Sequence, residues 1–304
     1  MGHRDLYEPM YPVDAAFRSS RTNEAYVFKG NMYVLINYAP GTQNDKAVNR
    51  PLLIRDGFPS LADTPFGDGI DCAFGSHYRN EAFIFKGDLC AVVNYAPHTT
   101  NDWIVKGPMT IASMFPFLRG TVFEKGIDAA FESSRESEAY LFRSDQYARI
   151  NYGSSPHLIT MRLIAQGFPT LRNTIFEHGI EAAFASHRYN EAYIFNLFEY
   201  ALINFAPGTT NDYIIGGVKP IYPNWPSLGG YEREPALTFA DVLFGEDVVR
   251  HDESELHNHL SQFSSAPEPD PLSPALDMYL YVVNAEVIHF LVGTVCPIIS
   301  TKIN

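Results

Sequence analysis

Three cysteines in 304 residues, none of them in a CxxC spacing, exclude both a paired disulfide framework and a cysteine-built zinc site. Cys72 and Cys90 read as small core residues, because a free thiol packs as a small hydrophobe. The opening stretch MGHRDLYEPMYPVDAAF contains no apolar run of signal-peptide type, so the expected setting is a reducing, cytosolic one. Positive charge is also scarce: 22 Lys and Arg stand against 35 Asp and Glu, a formal net charge of −13. That balance disfavours nucleic acid and anionic membrane surfaces as partners. Signatures of catalysis are missing as well. There is no HExxH, GxSxG, P-loop or Gly-rich dinucleotide turn, and the expectation is a protein that is not an enzyme.

What is abundant points to β structure. The chain is 46% apolar and only 19% charged, a globular composition, with 22 Phe, 18 Tyr and 21 Gly. Aromatic residues fit a pleated, half-buried surface, and glycines supply its turns.

Self-comparison shows four copies of one unit. DAAFRSSRTNEAYVF from Asp14, DCAFGSHYRNEAFIF from Asp71, DAAFESSRESEAYLF from Asp128 and EAAFASHRYNEAYIF from Glu181 align without a gap, with starts 57, 57 and 53 residues apart. Ten residues after each acidic starter stands Glu24, Glu81, Glu138 or Glu191, and 23 residues after it Asn37, Asn94, Asn151 or Asn204. Each unit closes on aromatic-Pro-x-Leu: Phe58 to Leu61, Phe115 to Leu118, Phe168 to Leu171 and Trp225 to Leu228. The third unit is four residues shorter, with Gly153-Ser154-Ser155-Pro156 replacing a longer loop.

Within a unit, DAAF, EAYVF and YVLINY read as three strands, the last two joined by a Gly-Asn hairpin at Lys29-Gly30-Asn31. A fourth apolar stretch such as Pro51 to Ile54 precedes the closing Pro, where a short helical turn is expected. Four strands in each of four units predict an all-β, four-bladed β-propeller. A stacked solenoid is the rival, but its terminal repeats would be polar caps, and here the first and fourth units keep the full apolar pattern. The propeller spans residues 4–230, with blades at about 4–61, 62–118, 119–171 and 172–230. Residues 231–304 form a non-repeating, acidic, Pro-containing C-terminal extension. The fourth unit replaces the hairpin KGN by Asn196-Leu197-Phe198, an exposed apolar tip suited to an interface.

The DAAF…NEAYVFKG…Y pattern in four copies resembles hemopexin-type repeats, and MFPFLRGTVFEKGIDAAF and GFPTLRNTIFEHGIEAAF are similar to the legume seed albumin-2 group. The resemblance implies a hemopexin-like propeller with an ion-binding central channel, a cytosolic seed protein that forms a homodimer, and binding of a polyamine such as spermine, or of haem. Ca²⁺ is the implied cofactor, with Na⁺ and Cl⁻ as further channel ions.

In a radial fold the equivalent acids Asp14, Asp71, Asp128 and Glu181 gather near one axis. Facing carboxylates share protons or recruit a cation, and Ca²⁺ is a hard ion served by several oxygens. The bland alternative is that they cap strand starts or pair with arginines. The resemblance implies that main-chain carbonyls at these positions are the metal ligands, and that Ala16, Ala73, Ala130 and Ala183 form a second ring. The same four acids are the candidates for polyamine. Glu24, Glu81, Glu138 and Glu191 read as ordinary surface partners of Arg21, Arg79, Arg135 and Arg188. His77 and His187 share a slot in the second and fourth units and are the candidates for haem, with His98 and His157 as loop alternatives. Ordinary loop histidines are the competing reading, since no residue pattern fixes a second partner.

The extension carries much of the acidity. Residues 1–231 hold 19 basic and 23 acidic side chains, a net of −4, whereas 232–304 hold 3 and 12, a net of −9. A capping-box pattern at Asp252 to Leu256 suggests a short amphipathic helix. His251, His257 and His259 read as a solvated polar face rather than a metal site. Met278 to Ile299 is apolar, but Asn284, Glu286 and His289 in its middle make membrane insertion costly. The function this supports is a binding albumin with a channel cation and a polyamine or haem ligand. The alternative is a nitrogen-storage albumin or protein-interaction scaffold without a specific ligand.

Overall fold

The alternation of small and aromatic residues in each repeat gives a strand with two unlike faces, and that difference builds the molecule. In the computed structural model residues 6–229, 231 and 232 are described, and they lie in one unit, Leu6–Glu232. The expectations placed on the capping box, the tail histidines and the apolar segment of the extension lie outside the described residues.

A short strand β1 (Leu6–Tyr7) is followed by the first blade, β2 (Ala15–Arg18), β3 (Glu24–Lys29) and β4 (Met32–Asn37), with its outer strand split into β5 (Lys46–Ala47) and β6 (Leu52–Leu53). The second blade is β7 (Cys72–Gly75), β8 (Glu81–Lys86), β9 (Leu89–Asn94) and β10 (Trp103–Thr110). The third is β11 (Ala129–Glu132), β12 (Glu138–Arg143), β13 (Gln146–Asn151) and β14 (His157–Leu163). The fourth is β15 (Ala182–Ala185), β16 (Glu191–Asn196), β17 (Glu199–Asn204) and β18 (Tyr213–Pro220), and β19 (Tyr231–Glu232) ends the described chain. Each blade is an antiparallel meander in sequence order. The closing Pro of each unit starts a short 3₁₀ helix, as at Pro59–Leu61, after a single helical turn such as Ile54–Gly57.

One face of each blade is aromatic and the other is small, so neighbouring blades fit large against small. Phe17, Tyr26 and Phe28 of the first blade pack on Ala73, Ala82 and Ile84 of the second. The same match recurs between the second and third blades and between the third and fourth. It also recurs between the fourth and the first, where Phe184, Tyr193 and Phe195 meet Ala16, Ala25 and Val27. Four blades therefore make four seams. A solenoid of four units would make three, so the ring is closed. Each fully buried Phe contributes about 1.5–3 kcal/mol. The closing seam has a second tie, since β1 pairs with β19 and the Met10 N–H donates to Leu228 O at 2.9 Å.

Candidate functional site

The innermost strands β2, β7, β11 and β15 are sheet edges with one hydrogen-bonded neighbour each, so their other edges face the axis. The Ser19 N–H donates to Glu24 O, and the Cα register Phe17↔Tyr26 and Ala15↔Phe28 continues that pairing. Antiparallel ladders alternate bonded and non-bonded positions. Ala16 therefore turns its main-chain N–H and C=O away from β3, toward the channel. The same offsets hold for Ala73, Ala130 and Ala183, all at most 1% exposed. This ring of backbone groups has hard oxygens for Ca²⁺ or Na⁺ and amides for Cl⁻. The side chains stay small because four strands converge there.

The acids do not face one another as a carboxylate ring. Asp14 Oδ2 accepts from the Gly30 N–H at 2.6 Å, Asp71 Oδ2 from Gly87 at 2.7 Å, Asp128 Oδ2 from Ser144 at 2.8 Å, and Glu181 Oε2 from Leu197 at 2.7 Å. Each carboxylate caps its own blade's hairpin tip, whose residue lies at positive φ with an amide lacking a ladder partner. Asp128 also pairs with Arg143. The expectation of side chains gathered on the axis is corrected accordingly, and the strand-capping alternative describes them. Among the described residues no cluster of three or more His, Cys, Asp or Glu is arranged to hold a metal ion. A channel cation would rest on the main chain, which the backbone ring fits.

The other end of the channel holds a feature absent from the sequence reading. Arg18 of the first blade and Glu132 of the third reach across the axis, Nε to Oε1 at 2.7 Å, with Glu132 1% exposed. Arg18 Nη1 also donates to Ser186 O of the fourth blade at 2.9 Å. The second blade supplies Gly75, where an added Cβ would stand 2.9 Å from Arg18 O and 3.2 Å from Glu132 Oε1. Burial pushes the Glu132 carboxyl up in pKa and the Arg18 guanidinium opposes the rise. The signal was present. At this one position the four repeats read Arg, Gly, Glu and Ala, with the opposite charges two units apart, which means on opposing blades.

His77 and His187 are clasps between blades. His187 Nε2 faces Ser19 O at 3.1 Å, while Nδ1 receives the Asn23 N–H at 3.1 Å and lies 2.6 Å from the Tyr38 hydroxyl. His77 repeats this two seams on, between the second and third blades, with Ser133 O, the Ser137 N–H and the Tyr152 hydroxyl. The carbonyls require Nε2–H, so Nδ1 is the acceptor and both ring nitrogens are used. Burial lowers both pKa values, that of His187 to about 4 with Arg18 contributing. Neither ring has a free nitrogen for iron, which corrects the haem assignment to these residues. In the other two blades Ser20 and Ser134 occupy the slot and reach Asn80 and Asn190.

The second acidic ring also departs from expectation. Glu24 bonds His98 Nε2 at 2.9 Å, and Glu138 stands 3.7 Å from Arg149 Nε. Arg135 and Arg188 donate to Pro207 O and Pro40 O of the next blade instead. Glu81 and Glu191 are raised in pKa by burial, the latter opposed by Arg188. His157 Nδ1 turns back to Ser155 O at 2.8 Å.

Four blades, inner edges open to an axial channel and aromatic-on-small seams define a hemopexin-type propeller. A Hemopexin family model matches residues 13–61 and 127–173. Albumin-2 of Pisum sativum is 52% identical over 220 residues, covering 72% of this chain and 95% of that protein. A Cicer arietinum structure, described as a plant lectin with two metal binding sites, is 57% identical with a TM-score of 0.69, covering 71% of this chain and 96% of that one. A hemopexin-fold protein from cow pea is 47% identical with a TM-score of 0.68, covering 71% and 96%. This chain belongs to the hemopexin-fold seed albumin family, the albumin-2 group.

Proposed function

We propose that this seed albumin is a non-catalytic binding protein that holds a hard cation on its axis through main-chain oxygens. The observation that supports it is the ring of backbone groups turned to the channel at Ala16, Ala73, Ala130 and Ala183. The relative described with two metal binding sites agrees with that reading. Main-chain ligation accounts for Glu181 replacing Asp, because either side chain caps its hairpin. Polyamine belongs at the hairpin-tip mouth, where four acids stand. Lys29, Lys86 and Arg143 end β3, β8 and β12, and the uncharged Asn196 holds that place in the fourth blade. Haem coordination by His77 or His187 is not part of the proposal.

Elemental analysis of the purified protein tests the ion, with stoichiometric Ca²⁺ or Na⁺ expected and retained in Asp71→Asn and Asp128→Asn. Loss of the metal in those variants would show that side chains hold it, and its absence from wild type would sink the axial site. Calorimetric titration with spermine tests the mouth, and a flat trace removes the ligand.

A second reading, an interaction scaffold, is favoured by the fourth hairpin tip, where Leu197 and Phe198 are 48% and 58% exposed. Sedimentation of Leu197→Ser/Phe198→Ser against wild type decides it, and unchanged association would remove the tip from any interface.

A further inference from the structure

The third blade breaks the repeat where it borders the fourth. The positions equivalent to Leu35, Val92 and Leu202, which face Tyr26, Phe83 and Tyr193 across the ladder, carry Arg149 there, facing Tyr140. The position of Leu52 carries Arg162, opposite Tyr147. The register Tyr147↔Arg162 and Arg149↔Thr160 puts these four side chains on one face of the sheet. They line a cavity of about 590 Å³ covered by the Gly208 to Asn211 loop of the next blade.

Replacing a buried Leu by Arg is unfavourable unless the guanidinium is paired and hydrogen-bonded. Its pairing here is incomplete. Arg149 Nε stands 3.7 Å from Glu138 Oε2, and both atoms are buried without a hydrogen-bond partner. A second guanidinium crowds the first. At Gly208, with φ +80°, an added Cβ would stand 2.8 Å from Arg149 Nη1 and 2.8 Å from Arg135 Nη2, so both guanidinium groups lie against the covering loop. Arg162 is exposed at the rim. The charged side chains that line the cavity are Arg149 and Arg162; behind the lining Arg135 donates to Pro207 O, Glu138 lies by Tyr140, and Asp212, near Tyr147, already accepts the Thr170 N–H at 3.1 Å. Burial raises the Tyr140 and Tyr147 phenols, and Arg149 opposes both rises. A net positive, partly desolvated concavity with an unused N–H donor at Arg149 Nε and threonine hydroxyls in its lining has the chemistry to accept oxygens of negative charge.

We propose that this cavity between the third and fourth blades binds a small oxyanion, a carboxylate or a phosphate group, held by Arg149 with Arg162 at the rim. It is separate from the axial channel, so its test is independent of the cation proposal. Calorimetric titration of the full chain with benzoate and with inorganic phosphate distinguishes the two groups. Saturable one-to-one binding of at least one probe is expected. Arg149→Leu installs the residue that two other blades use and keeps the fold, which far-UV circular dichroism confirms. It should weaken binding at least tenfold, and Arg162→Leu severalfold, whereas Arg55→Leu in the first blade changes nothing. Absence of saturable binding of either probe, or binding that Arg149→Leu leaves intact, overturns the proposal.

Discussion

His77 and His187 show how burial and hydrogen bonding together decide what an imidazole can do. Each is neutral, with one nitrogen donating to a carbonyl and the other accepting, and each ties its blade to the next. Their pKa values lie below the ordinary 6.5, so the unfolded chain binds more protons between about pH 6.5 and 4. Stability contributed by these clasps is full above pH 6.5 and is lost as pH falls through that window. Substituting serine, which the other two blades use at this slot, removes the linkage. The double variant His77→Ser/His187→Ser should flatten the fall of urea midpoint between pH 7 and 4.5, a difference of about 1–2 kcal/mol after discounting partial exposure. A fall as steep as that of wild type would place the acid sensitivity elsewhere. Arg18 and Glu132 pose the complementary case of a charge that needs its partner. Arg18→Met strands a fully buried carboxylate and should cost about 3–5 kcal/mol, most of it recovered in Arg18→Met/Glu132→Gln. Additive losses in that cycle would show that the two residues act separately.

The outer loops tie elements across seams. Asp102 of the second blade accepts the Ser60 N–H at 3.2 Å, Asp212 of the fourth accepts Thr170, and Asp45 of the first accepts Ser227 at 2.8 Å. Each aspartate caps the 3₁₀ helix that ends the blade before it. The third blade's shortened loop has no such aspartate, so the helix Pro116–Leu118 lacks the cap. Hydrogen exchange should therefore find the Phe117 amide faster than those of Ser60, Thr170 and Ser227. Asp45→Ala should release the Ser227 amide and cost about 1–3 kcal/mol, because that N–H is left buried and unsatisfied. Equal protection at all four positions would mean that the loops add nothing to the seams. The shortened loop itself was legible, since a gap in an otherwise rigid register needs no structure to be seen. Its consequence was not, because a cap donated from the next unit is a contact between repeats. The same limit explains the acids at the strand starts. Self-comparison establishes that Asp14, Asp71, Asp128 and Glu181 are equivalent, but it does not say which way an equivalent side chain turns. The deciding partner is a hairpin-tip amide 16 residues on in the same blade. Arg149 departs from the aligned pattern of Leu35, Val92 and Leu202, but the departure went unread, because its meaning depends on the loop that covers it.

At the scale of the whole molecule, closure makes the chain ends incidental. The large-on-small fit recurs at every seam, and no peptide bond crosses the fourth-to-first one. What holds it is the core around Trp225, the His187 clasp, Asp45 on Ser227 and the short pairing of β1 with β19. The ends of the unit Leu6–Glu232 are thus already side by side, with Leu6 and Glu232 as register partners. The pea relative is covered to 95% by a match to 72% of this chain. A permutant of residues 6–232, joined across β1 and β19 by a short Gly-Ser linker and reopened between Gly153 and Ser154, keeps all four cores intact. It should retain the near-UV circular dichroism of the 6–232 parent and a single cooperative unfolding transition, within about 2 kcal/mol of it. Reopening between Ala139 and Tyr140 instead cuts β12, whose residues line two seams, and should abolish the fold. If both cuts are equally damaging, stability resides in the order of the chain and the ring is not the cooperative unit. If the loop cut alone is tolerated, the closed ring, and not the order of the chain, is the cooperative unit.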